Sequence, residues 1–87
     1  MENAELKRLR GEIDRVDTEL VTLLNERLQL VDAIGALKRG QGLPVRDEAR
    51  EAELLARIRA QAGENAAAAE AVYQMILLIS RERERHT

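Results

Sequence analysis

The sequence contains no cysteine and one histidine, His86. These scarcities exclude disulfide bonds and thiol chemistry, and nearly every zinc site, because proteins hold zinc mainly through cysteine and histidine. Aromatic residues are almost as rare, since Tyr73 is the only one. A chain with one aromatic side chain offers no platform on which nucleic-acid bases could stack. We therefore expect neither nucleic-acid binding nor catalysis by a cysteine or histidine.

Strong charge of either sign is also missing. Fourteen basic residues stand against 16 acidic ones, a net charge of −2, so nothing attracts the chain to nucleic acid or anionic membranes overall. No run of 18 apolar residues is present to cross a bilayer, and the first residues, Met-Glu-Asn-Ala-Glu, lack the apolar core of a signal peptide. The sequence therefore predicts a cytoplasmic protein.

Helix-breaking residues are scarce in the first half of the chain. No proline precedes Pro44, and Gly11 and Gly35 are the only glycines before Gly40. Apolar residues recur every three or four positions, which is typical of a helix with one apolar face. We call this set the apolar seam; it comprises Leu6, Leu9, Ile13, Val16, Leu20, Leu23, Leu30, Ile34 and Leu37. The pattern predicts one helix over about residues 4–39.

The length of this helix predicts a second copy of the chain. At 1.5 Å per residue it is ~54 Å long, whereas a compact domain of this size has a radius of gyration of only ~12 Å. The helix must protrude, and its seam would be exposed to water unless another molecule covered it. We therefore expect a homodimer built on paired long helices.

The rest of the chain predicts two more helices. Asp47 can cap a helix over about residues 47–62 that Gly63 ends, and a third helix follows over about residues 65–85. The residues beyond Ser80 are all polar, so we expect the helix to fray at its end. Without a β-type alternating stretch, an internal repeat or a linker, the sequence indicates an all-α fold and one domain over residues 1–87.

One cation interrupts the apolar seam. Arg27 stands where another leucine is expected, and Lys38 follows eleven residues later, about 20° from three full helical turns. Both side chains therefore point from the same side of the helix. A buried, unpaired guanidinium is costly, so Arg27 must pair with an acid, turn to the surface or bind an anionic ligand.

Two other groups of polar residues accompany these cations. Asp47, Arg50 and Glu51 share one face of the second helix, and Ser80 and Glu84 lie one turn apart on the third. Taken singly, the first group is explained by a helix cap and a surface ion pair, and the second by the polar end of an amphipathic helix. Taken together, they describe a pocket among three helices that suits a small dianion, because arginine matches carboxylate geometry.

The order of these residues resembles the all-helical class of chorismate mutase. The resemblance covers almost the whole chain and is carried by residues 9–17, 23–27, 34–38, 44–51 and 79–80. It implies an intertwined homodimer of three-helix chains that converts chorismate to prephenate. Each of its two active sites uses one residue of the partner subunit, and no cofactor or metal takes part.

The resemblance also implies a role for each polar residue. Arg27 and Arg10 would clamp the two substrate carboxylates, and Lys38 would meet a carboxylate and the ether oxygen. On a straight helix Arg10 lies ~26 Å from Arg27, too far for both to hold one small molecule. Arg10 would therefore serve the pocket of the partner subunit.

The remaining implied roles concern the ring and the second carboxylate contact. Asp47 and Glu51 would recognise the ring hydroxyl, Arg50 would add positive potential, and Ser80 would contact a carboxylate. Arg46 would support the site without taking part in catalysis.

Glu84 departs from the commonest pattern of the family. Many members carry glutamine there, which donates a hydrogen bond to the ether oxygen, while others carry glutamate. An ionised carboxylate cannot donate, so Glu84 would have to be protonated in this role.

Three alternatives stay open at this point. The same scaffold can eliminate pyruvate from isochorismate or rearrange 4-amino-4-deoxychorismate, although Asp47 and Glu51 together favour chorismate. A non-enzymatic helical dimerisation module is the third alternative, but it gives no reason for Lys38, Arg50 and the two acids to converge.

Overall fold

The computed structural model describes residues 3–86, and most of them are helical. Helix α1 spans Ala4–Gln41, α2 spans Glu48–Ala62 and α3 spans Ala66–His86, and a short 3-10 turn, Gly63–Asn65, joins the last two. No strand occurs in this part of the chain. The structure confirms the predicted all-α class and places each of the three helices within two residues of its expected ends.

Local capping explains where these helices begin and end. The side-chain oxygen of Asn3 accepts hydrogen bonds from the backbone N–H groups of Glu5 and Leu6, at 2.7 and 3.3 Å. Asp47 caps α2 in the same way, accepting from the backbone N–H of Arg50 at 3.0 Å. Gly63 ends α2 with a φ of 60°, a conformation that a residue with a Cβ adopts only under strain.

Contacts along the chain divide it into two compact units, Met1–Leu30 and Val31–Thr87. The described part of the first unit is one helix with no buried side chain. Its seam residues are 40 to 64% exposed, as are Val21 and Leu24. The first unit therefore has no apolar core of its own. The single domain predicted over residues 1–87 stays a prediction.

The second unit is organised around an antiparallel pair of helices. Glu51, near the start of α2, pairs with Arg81 near the end of α3, and Arg59, near the end of α2, pairs with Glu70 near the start of α3. The apolar core is small, and among the described residues its buried side chains are Val31, Leu54 and Leu77. Within residues 3–86, no helix combines the length and the hydropathy that a membrane-spanning segment needs.

The end of α3 is linked to α1 by an ion pair, and the expected fraying of its last residues stays a prediction. The helix continues to His86, and Arg83 forms a two-pronged ion pair with Asp32 of α1, with N–O distances of 3.0 and 2.7 Å. This hydrogen-bonded pair lowers the pKa of Asp32 and raises that of Arg83. The tail is held because its charged side chains reach acceptors on another helix.

Candidate active site

The second unit brings Lys38 and Glu84 into direct contact. The ammonium nitrogen of Lys38 lies 2.7 Å from Oε1 of Glu84, and the two side chains are only 21% and 11% exposed. The same nitrogen donates to the backbone carbonyl of Val45 at 2.6 Å. Because an ammonium group has three N–H donors, Lys38 retains one for a bound molecule.

Further contacts fix the position of Glu84. Its backbone carbonyl accepts a hydrogen bond from the guanidinium of Arg39 at 3.0 Å, which ties the last turns of α3 to the end of α1. Ser80, one turn earlier, is buried and donates its hydroxyl proton to the carbonyl of Ile76 at 2.7 Å. Glu84 and Ser80 are thus the two buried polar residues of α3.

The three predicted site residues at the start of α2 differ in their contacts. Asp47 uses its carboxylate to cap the helix, as expected. Arg50 is 54% exposed and pairs with Glu53, at 3.2 Å, rather than with Glu51. The contacts of these two residues therefore match the simpler interpretation of a helix cap and a surface ion pair.

Glu51 is the partly buried acid of α2. Its Oε1 accepts a hydrogen bond from Arg81 at 2.9 Å and lies 3.7 Å from Nε of Arg46. The sequence interpretation missed Arg81, because it assigned the residues beyond Ser80, apart from Glu84, to a polar tail. The spacing of Leu77, Ser80 and Glu84 was the available signal, since it extends the buried face of α3 past that point.

An open cleft of 330 Å³ adjoins this cluster. The residues that line it are Lys38, Leu43, Pro44, Arg46, Asp47 and Glu48. Lys38 and Asp47, both predicted from the sequence, therefore face one cleft. With an ammonium, a guanidinium and carboxylates on its walls, the cleft can bind a small polar molecule that carries both anionic and hydroxyl groups.

The two remaining predicted residues belong to the first unit. Arg10 is exposed and Arg27 is partly buried, both on α1. The residues between them are helical throughout, so the ~26 Å separation expected from the sequence applies. One copy of the chain cannot place both guanidinium groups on one small molecule.

The chain is similar to several known proteins. A family model described as chorismate mutase type II matches residues 9–85. The bifunctional chorismate mutase/prephenate dehydratase of Aquifex aeolicus is 48% identical over 54 residues, which are 62% of this chain and 15% of that protein. The T-protein of Haemophilus influenzae is 36% identical over 77 residues, which are 88% of this chain and 20% of that protein. The chain thus spans a fifth or less of these curated relatives.

A solved structure extends the comparison to the fold. It is described as a conserved hypothetical protein from Pyrococcus furiosus, is 34% identical and matches with a TM-score of 0.79 over 95% of this chain and 99% of its own. The family match covers most of the chain and confirms the resemblance that the sequence motifs carried. It supports chorismate mutase activity over the lyase, amino-chorismate and non-enzymatic alternatives. The chain belongs to the chorismate mutase type II family.

Proposed function

We propose that the chain rearranges chorismate to prephenate, as a homodimer with two shared active sites. The observation that carries the proposal is the Lys38–Glu84 pair, because it places an ammonium and a carboxyl group within 2.7 Å of each other in a partly buried position. In the reaction the C–O ether bond breaks while a C–C bond forms within one molecule. It needs no nucleophile, base, metal or cofactor, so the protein contributes substrate conformation and charge stabilisation.

Lys38 and Glu84 act on the ether oxygen in this proposal. Negative charge develops on that oxygen as the C–O bond breaks, and the remaining N–H of Lys38 stabilises it. Glu84 donates a second hydrogen bond, for which it must be protonated.

Dimerisation supplies the carboxylate clamps. The exposed seam of the first unit is longer and more continuous than a monomeric protein normally leaves in water, and a second copy of α1 would cover it. Arg27 of one chain and Arg10 of the partner subunit would then hold the two carboxylates. Ser80 adds a carboxylate contact from α3.

The ring hydroxyl faces α2 in this arrangement. Glu51 accepts the hydrogen bond that the hydroxyl donates, Asp47 recognises the hydroxyl from the wall of the cleft, and Arg50 turns from Glu53 to add positive potential. Arg46 lines the cleft and supports Glu51. The cytoplasmic location stays a prediction.

The activity is tested by following the loss of chorismate absorbance when the purified wild-type protein is added. The shared site is tested by mixing two inactive variants. Arg10→Ala and Arg27→Ala dimers should each be inactive. Random reassociation makes half of the dimers mixed, and each mixed dimer has one complete site, so activity should return to about one quarter of the wild-type value. A Lys7→Ala protein, altered on the solvated face of α1, should remain fully active.

Two results would contradict the proposal. A wild-type protein that leaves chorismate unchanged would refute the activity. Active wild type with no recovery on mixing, after subunit exchange has been verified by mass, would refute the sharing of Arg10 and Arg27 between chains.

A further inference from the structure

The ion pair between Arg81 and Glu51 has no part in the roles described so far. The guanidinium of Arg81 donates to Oε1 of Glu51 at 2.9 Å, and the two side chains are 20% and 15% exposed. They come from the last turns of α3 and the first turn of α2. A contact this enclosed limits the rotamers that the carboxylate of Glu51 can adopt.

We infer that Arg81 is a positioning residue that aims Glu51 at the ring hydroxyl and thereby sets the preference for a hydroxylated substrate; this inference rests on the proposed function. Arg81 and the more distant Arg46 both approach Oε1. Oε2 is then the oxygen that accepts the hydrogen bond of the substrate. Arg81 itself touches no substrate atom.

A neighbouring arginine shows what a purely structural pair looks like in the same helix. Arg83 donates to both oxygens of Asp32, so each oxygen of that carboxylate already has a donor. Arg81 engages one oxygen of its acid and leaves the other for a ligand. We therefore interpret the Arg83–Asp32 pair as a link between two helices, and the Arg81–Glu51 pair as one that also orients a ligand-binding carboxylate.

The orientation of Glu51 matters because a hydrogen bond to a charged acceptor depends strongly on direction. Such bonds discriminate by roughly 10- to 100-fold in binding or rate. Without Arg81 the carboxylate samples other rotamers and is left partly buried without its main partner. The loss should therefore fall on substrates with the hydroxyl and spare those without it.

The test compares chorismate with an analogue that lacks the ring hydroxyl, using kcat/KM for both in each variant. Arg81→Met should lower kcat/KM for chorismate about 10- to 100-fold and change that for the analogue less than threefold. Arg81→Lys, which keeps the charge but not the planar fork, should lose an intermediate amount. Glu51→Gln should reduce the same preference, and adding Arg81→Met to it should reduce the preference little further.

Two matched variants serve as controls. Arg85→Met removes an exposed arginine of α3 that pairs with Glu82, and it should leave both substrates unaffected. Arg83→Met should lower the midpoint of urea unfolding without altering the substrate preference. If Arg81→Met does not fold, as judged by circular dichroism, kcat/KM for the two substrates is compared in Arg81→Lys instead, with and without Glu51→Gln.

The possible outcomes separate this inference from the proposed function. Wild type that turns over neither substrate refutes both. If wild type is active and Arg81→Met keeps the same substrate preference, the role of Arg81 is refuted and the proposed function is not. If Arg81→Met does not fold, an unchanged preference in Arg81→Lys has the same meaning. Equal losses on both substrates assign Arg81 to folding and overturn its positioning role.

Discussion

Shortening Leu20 should weaken the dimer, because this side chain lies on the exposed seam in the middle of the first unit. In the single chain 58% of its surface is exposed. Full burial of a leucine side chain stabilises by about 1.5 to 3 kcal/mol, so covering the exposed part contributes roughly 0.9 to 1.7 kcal/mol. Since a symmetric dimer contains two copies, Leu20→Ala should cost about 1.7 to 3.5 kcal/mol, a roughly 15- to 300-fold higher dissociation constant.

Sedimentation equilibrium across a range of protein concentrations measures this dissociation constant directly. The matched control is Glu19→Ala, one residue away on the polar face, where Glu19 forms only a surface pair with Arg15 among the contacts observed. Specific activity of Leu20→Ala should rise with protein concentration as dimers form. A dissociation constant equal to that of wild type would show that the seam does not face the partner, and a monomeric wild type would refute the dimer itself.

The remaining predictions concern charged residues. Lys38→Ala should lower kcat/KM by on the order of 10²-fold or more with an unchanged circular dichroism spectrum, because a preorganised donor is lost; near-normal turnover would remove Lys38 from the site. Glu84→Gln should keep its activity and Glu84→Ala should lose it, because an amide N–H can donate to the ether oxygen and a methyl group cannot; near-normal kcat/KM in Glu84→Ala would exclude Glu84 as the donor. The hydrogen bond from Arg83 holds the pKa of Asp32 in the folded state below its ordinary value of 3.8. The ionised Asp32 therefore stabilises the folded chain fully above that pH, and this stabilisation is lost as pH falls through the lower pKa of the folded state. The gap in urea-unfolding free energy between wild type and Asp32→Asn should therefore shrink below about pH 4, and a gap that stays constant would contradict this linkage.

Local chemistry made much of the fold predictable from the sequence. Asn3 and Asp47 cap their helices through bonds to backbone groups two or three residues away, and Gly63 ends α2 through its own backbone conformation. These interactions need only neighbouring residues, so the sequence contains all the information. The same holds for the spacing that brings Ser80 and Glu84 onto one buried face of α3.

The partners of long charged side chains were not predictable in this way. Arg81 meets Glu51 across 30 positions, and Arg83 meets Asp32 across 51. Periodicity assigns a residue to a face of its helix, but it does not say which acid of another helix that face approaches. A run of alternating arginine and glutamate looks solvated by composition, and only the packing of α3 shows which of its members are held.

The ion pairs of the second unit bear on why Glu84 is a glutamate. Lys38 is paired with Glu84, and Glu51 is paired with Arg81. A buried cation without a partner would cost more than such a pair. Glu84 provides that partner for Lys38, and a neutral glutamine cannot form an ion pair. In the proposed mechanism this pairing accounts for a glutamate at a position where a glutamine would serve the reaction alone.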